Sequence, residues 1–256
     1  MFWRAKPTID ADEEEWQLQT WEYLLKHLGG VEGLRSFSTV RPSHDDFPAT
    51  GRKGHDLALT VFGQVAAWMR IDLRGFRLVP QERAVDPRLD TFAVVQNAPT
   101  GPAGTYSLDW EEGHTVTYEP SRVADLEYLI AVFAHELCHS VLLDIAVPPP
   151  GAAELEEPAT DLTTVFHGFG LFGGNEAFRF QQYSDPATGA QGWSTSGLGY
   201  MTQNEWGYAL ALRTLLTGDD ETLVDSNATP ELRTHVRRNL KYLRRNPKVV
   251  ERVQAA

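Results

Sequence analysis

The chain has a single cysteine, Cys138, in 256 residues. No internal disulfide can form, and such sparse thiol usage fits a reducing compartment, so a cytoplasmic location is expected. Long apolar runs are missing as well: nothing approaches the ~18 uninterrupted apolar residues of a membrane span. Residues Met1 to Pro7 run directly into Asp10, Asp12, Glu13, Glu14 and Glu15, which leaves no apolar stretch for a secretory leader. Basic residues are outnumbered, 23 against 35 acidic, and the net charge of −12 argues against nucleic acid as the main partner. Neither an internal repeat nor a linker with a composition shift interrupts the sequence, so one elaborated domain over 1–256 is expected.

What the chain does have is an ordinary apolar fraction, 42%, enough at this length for a large core. Within it lies His135-Glu136-Leu137-Cys138-His139, an H-E-x-x-H pattern. Leu126, Leu129, Ile130, Phe133, Leu137 and Val141 recur at spacings of three and four, with Ser121 and Asp125 as candidate helix starters. The spacing predicts a helix over 121–145, ended by Pro148, Pro149 and Pro150. On that helix His135 and His139 lie one turn apart on one face, so both imidazoles reach one point in space. Zinc takes neutral imidazole nitrogens at about 2.0–2.1 Å. Glu136, beside the metal rather than on it, is placed to take a proton from metal-bound water. The competing reading is a buried helix whose two histidines only satisfy hydrogen bonds. Cys138, about 100° round the helix from His139, reads as inert core.

A catalytic zinc needs a third protein ligand, with water in the fourth position. Downstream lies Glu154-Leu155-Glu156-Glu157-Pro158-Ala159-Thr160-Asp161. Pro158 lacks an N–H and belongs in the first turn of a second helix, which puts Glu157 at the helix start and Asp161 one turn later on the same side. Glu157 could then ligate the metal while Asp161 accepts a hydrogen bond from a ligand imidazole. Glu154, Glu156 and Asp161 stay open as rival third ligands. The acidic cluster also reads as N-terminal charge that favours the helix macrodipole.

H-E-x-x-H on one helix and E-x-x-x-D on the next resemble the gluzincin branch of the zincin metallopeptidases. The resemblance covers only this two-helix segment. It implies Zn2+ held by His135, His139 and Glu157, Glu136 as general base, Asp161 behind a histidine, and a peptide or protein substrate. The metzincin pattern is absent, since Ser140-Val141-Leu142-Leu143-Asp144 follows the motif. The expected activity is that of a zinc-dependent hydrolase, a metallopeptidase in the first instance. A non-catalytic binding protein with a zincin fold, and a zinc hydrolase of a non-peptide amide or ester, are the alternatives. An oxyanion donor is sought downstream, where Tyr200 and Tyr208 are named ahead of Arg179 and His167. His167 suits a helix end better than a ligand position.

Elsewhere, 10–28 reads as an amphipathic helix stopped at Gly29-Gly30, 35–54 as loop and 55–70 as a second helix. Phe76–Val79 and Thr91–Val95 have strand character, and Gly104–Trp110 with His114–Tyr118 reads as a hairpin. Thr115–Tyr118, just before the motif helix, is a candidate rail on which an extended peptide would add to the sheet edge; an ordinary strand is the alternative. Gly168, Gly170, Gly173 and Gly174 precede a strand-like Ala177–Tyr183 and a loop over 184–199. Thr202 to Glu205 forms a capping box that opens a helix to about 217, closed by Gly218. Residues 231–256 hold eight basic side chains against Glu231 and Glu251, a local +6 that leaves −18 on the remainder. The stripe Leu232, Val236, Leu240 and Leu243 docks this segment on the acidic body; an anionic partner or a membrane surface is the alternative. The sum is an α+β, zincin-like fold. An N-terminal helical part covers 1–90 and the core 91–218, with the motif helix and third-ligand helix beside a small mixed sheet. A basic C-terminal helical part covers 219–256.

Overall fold

In the computed structural model, residues 6–48, 50–81, 103–183 and 201–256 are described, with the side chains of 178–183 left out. The architecture is α+β: ten helices and a three-stranded mixed sheet among the described residues. Thr91–Val95, the 184–199 loop and Tyr200 lie outside them.

The helical half begins with α1, Ala11–His27. Asp10 caps it by accepting from the backbone of Asp12 and Glu13, while the Glu13 carboxylate accepts from the Asp10 N–H. Trp16, Trp21, Leu24 and Leu25 are buried. Gly29, at φ 91°, ends α1, but the chain restarts at once in the short helix α2, Gly30–Arg35. Helix α3, Gly54–Met69, buries Ala58, Val61, Phe62, Val65 and Met69 against the sheet half.

Strands β1, Phe76–Pro80, β2, Gly104–Asp109, and β3, Gly113–Tyr118, pair in the order β1-β3-β2. β2 and β3 form the expected antiparallel hairpin, and β1 runs parallel to β3 on its other side. This corrects the reading of Thr115–Tyr118 as a substrate rail. β3 is the central strand, and its backbone is bonded on both sides. A hairpin pattern exposes only one neighbour of a strand, and the parallel partner, distant in sequence, carries no local signal. Among the described residues β2 and β1 form the edges.

The motif helix α4, Leu126–Leu143, starts at Asp125, whose side chain accepts from the Tyr128 N–H; Ser121 belongs to a preceding 3-10 turn, Pro120–Arg122. The helix ends before the three prolines, with Asp144 at its C-cap. Leu129, Phe133 and Leu137 are fully buried, each worth roughly 1.5–3 kcal/mol of transfer free energy. By length and composition α4 could cross a bilayer, yet 67% of it is buried inside the protein. Helix α5, Glu156–Phe166, follows a short 3-10 turn, with Glu156, Glu157 and Pro158 as its first residues.

Helix α6, Gly170–Tyr183, overturns the strand expected at Ala177–Tyr183. Gly170, Gly173 and Gly174, expected ahead of that strand, lie within the helix where a Cβ would strike Leu210, Trp206 and Leu232 of later helices. Close packing decides the conformation over local propensity. Helix α7, Gln203–Thr217, has the expected Thr202–Glu205 capping box and Gly218 at φ 76° as its stop. Three further helices follow: α8, Glu221–Asn227; α9, Pro230–Arg245; and α10, Pro247–Gln254. The α9 stripe Leu232, Val236, Leu240 and Leu243 is buried as its spacing demands. Arg237 pairs with Asp225, Arg244 with Glu221, and Arg252 with Glu15 and Glu22, so part of the basic segment is neutralised by its own body.

Two apolar clusters result. One joins α1, α5, α7 and α9; the other joins α3, α4 and the sheet. α4 and α5 face each other where the two clusters meet.

Candidate metal centre

His135 and His139 project from successive turns of α4 toward the first turns of α5, as four-residue spacing requires. There Glu157 meets both. Its Oε2 lies 2.9 Å from His135 Nε2 and 3.7 Å from His139 Nε2. One donor atom from each residue can be chosen so that all three lie within 4.8 Å of one another. Ligand atoms about 2.05 Å from a tetrahedral zinc are about 3.4 Å apart, a value the two measured separations bracket.

A short hydrogen bond orients the His135 ring, and a longer contact lies behind His139. Asp161 Oδ1 lies 2.9 Å from His135 Nδ1, which leaves Nε2 as the ligating nitrogen. Thr160 Oγ1 donates to the Glu156 carbonyl and lies 3.4 Å from His139 Nδ1, so it accepts from Nδ1–H and His139 Nε2 carries the free lone pair. The second oxygen of Asp161 accepts from the Met201 N–H at 2.8 Å, which anchors the carboxylate to the residue before the α7 cap.

The electrostatics of the cluster favour a positive charge. Glu136, Glu157 and Asp161 crowd two imidazoles, and among the described residues no lysine or arginine is paired with any of the three. Burial opposes a charge on His135, but its bonds to Asp161 and Glu157 prevail and push its pKa up to about 10. Burial, with the His135 charge behind it, holds His139 down at about 4. Burial also lifts Glu136 to about 7, against the pull of His135 and with help from Glu157 and Asp161. The metal-free cluster thus keeps a proton between His135 and Glu157, where a divalent cation would supply more charge to the same carboxylates.

Two residues at the site had no sequence signal. Gly104, the first residue of β2, lies so close to α4 that a Cβ there would meet Val132, the Glu136 carboxylate oxygen and the Thr117 carbonyl. Tyr106, two residues on, stacks on His139 with ring centroids 5.8 Å apart and 13° between planes. Burial pushes its phenol up to about 12, with a contribution from Asp144, so it remains an O–H donor. The two-residue period of a strand puts Gly104 and Tyr106 on one face, but the packing of that face on the motif helix is tertiary information.

The structure therefore brings together His135, Glu136, His139, Glu157 and Asp161. Glu154 and Glu156, the rival ligands, are exposed and outside the group. Tyr208 is not brought to it: the residue is fully buried in α7 and its hydroxyl donates to Glu14 at 2.7 Å. Its α7 position packs it into the helical core instead. His167 is the C-cap of α5, with Nδ1 2.9 Å from the Thr163 carbonyl. The Arg179 side chain lies outside the described residues. Cys138 is buried and burial raises its thiol pKa, consistent with a packing role. No protein-family model, no curated protein and no solved structure matches the chain.

Proposed function

We propose that the chain is a zinc-dependent hydrolase of the gluzincin type, cleaving amide bonds in peptides or proteins. The observation that carries this reading is the convergence of His135, His139 and Glu157 with Glu136 beside them and Asp161 behind His135. Zinc held by His135, His139 and Glu157 would supply Lewis acidity there. Glu136 accepts the proton of the attacking water and returns it to the departing amine. Its pKa of about 7 in the metal-free chain matches a group that must exchange a proton near neutrality. Asp161 holds the Nδ1 proton of His135 and keeps Nε2 toward the metal.

The test is Glu136→Gln. The variant is expected to retain stoichiometric zinc by elemental analysis and to lose turnover by about 10²–10⁴-fold. The assay uses a quenched-fluorescence peptide library beside small amides and esters, each with and without chelator. Undiminished turnover in this variant removes Glu136 from the reaction. Cleavage of the esters alone moves the substrate class away from peptides.

A further inference from the structure

The two ligand imidazoles are held unequally. His135 has a short charged partner, Asp161 at 2.9 Å from Nδ1. Among the described residues the Nδ1 partner of His139 is the Thr160 hydroxyl at 3.4 Å, beyond the range of a strong N–H···O bond. A ligand imidazole needs its ring plane fixed if its lone pair is to meet the metal. Among the described residues two rings touch His139: His135, edge-on at 4.9 Å and itself one of the two imidazoles, and Tyr106, stacked on its face from outside the pair.

Tyr106 is itself immobilised. In the hairpin register it pairs with Val116, while His114 pairs with Leu108, so its ring leans diagonally across the sheet face. Its hydroxyl meets His114 Nδ1 at 2.7 Å. The His114 ring lies flat on Phe76 of β1, with centroids 4.2 Å apart and 9° between planes. A chain of ring contacts thus runs from β1 through β3 and β2 to the face of His139. Offset parallel rings at such separations attract and resist tilting.

We propose that Tyr106, locked by His114, is a positioning residue that fixes the imidazole plane of His139 for metal binding, an inference that rests on reading this cluster as a metal centre. Tyr106→Leu removes the ring. Tyr106→Phe keeps the ring but loses the bond to His114. His114→Ala removes the lock, and His114→Gln restores a hydrogen-bonding partner.

The experiment uses the full chain and measures two things. One is the zinc dissociation constant, by competition with a chromophoric chelator. The other is the visible spectrum of the cobalt-loaded protein, which reports ligand geometry and which a purely structural role would not move. Tyr106→Leu is expected to weaken zinc about 10-fold or more and to shift the cobalt bands. Tyr106→Phe and His114→Ala are expected between wild type and Tyr106→Leu, with His114→Gln close to wild type. Wild-type affinity and bands in Tyr106→Leu overturn the proposal. Should that variant not fold, wild-type bands in both Tyr106→Phe and His114→Ala overturn it instead. Wild-type chain that takes up neither metal overturns the metal centre itself, and the inference with it, a result distinct from tight binding by every variant.

Discussion

Asp161 uses both carboxylate oxygens, one on His135 and one on the Met201 amide. Its replacement by asparagine removes the charge that favours the Nδ1–H tautomer of His135. Zinc affinity is expected to fall 10–100-fold in Asp161→Asn, measured by chelator competition; an unchanged constant would show that the tautomer is set otherwise. His135 gives a second prediction at this scale. Its folded pKa lies above its usual value, near 10, so the metal-free chain carries the proton throughout the neutral range. Zinc needs the neutral ring, so this proton must leave on binding. Apparent affinity therefore rises with pH, by about tenfold per unit from this group, until the pH approaches 10. At pH 8, Glu136, with a pKa of about 7, is already mostly ionised and adds little. Calorimetry in buffers of different ionisation heat is expected to show about one proton released per zinc, and none released would mean a neutral His135.

At the scale of elements, helices α7 and α9 pack closely at Gly207, where a Cβ would press on the His235 backbone and Cβ. A backbone neighbour yields less than a side-chain tip, so Gly207→Ala is expected to cost about 1–3 kcal/mol, read from urea unfolding, without altering the cobalt spectrum of the metal centre. The same kind of contact marks where the sequence was legible and where it was not. Helices α1, α3, α4, α7 and α9 announce themselves through capping boxes and three-and-four spacing, because those signals act within the segment. His135, Glu136, His139, Glu157 and Asp161 were readable for the same reason: each set sits on one helix at one-turn steps. Helix α6 was not, because its glycines serve contacts with α7 and α9 rather than turns. Strand β3 looked like an edge because its parallel partner β1 lies far back in the chain. Tyr106 and Gly104 were invisible for a related reason, since what they touch belongs to another element.

For the whole molecule, the candidate metal centre sits where two apolar clusters join, with most of α4 in one and α5 in the other. A cation bridging His135, His139 and Glu157 binds the folded state and not the dispersed ligands of the unfolded chain. At free zinc 100 times the dissociation constant this adds about 2.7 kcal/mol. For a chain of this size the melting temperature is then expected to rise by roughly 5–10 °C. Differential scanning calorimetry with added zinc, and again after chelation, checks it; coincident melting curves would deny that the ion joins the two halves.

The bond from Met201 to Asp161 carries this further. One oxygen of a single carboxylate steadies His135, and the other secures the segment that opens α7. Coupling of that kind works in both directions with equal magnitude. On the proposed reading, whatever loosens the backbone at Met201 would weaken the grip on zinc, and each ion that entered would tighten the docking of α7 by the same free energy.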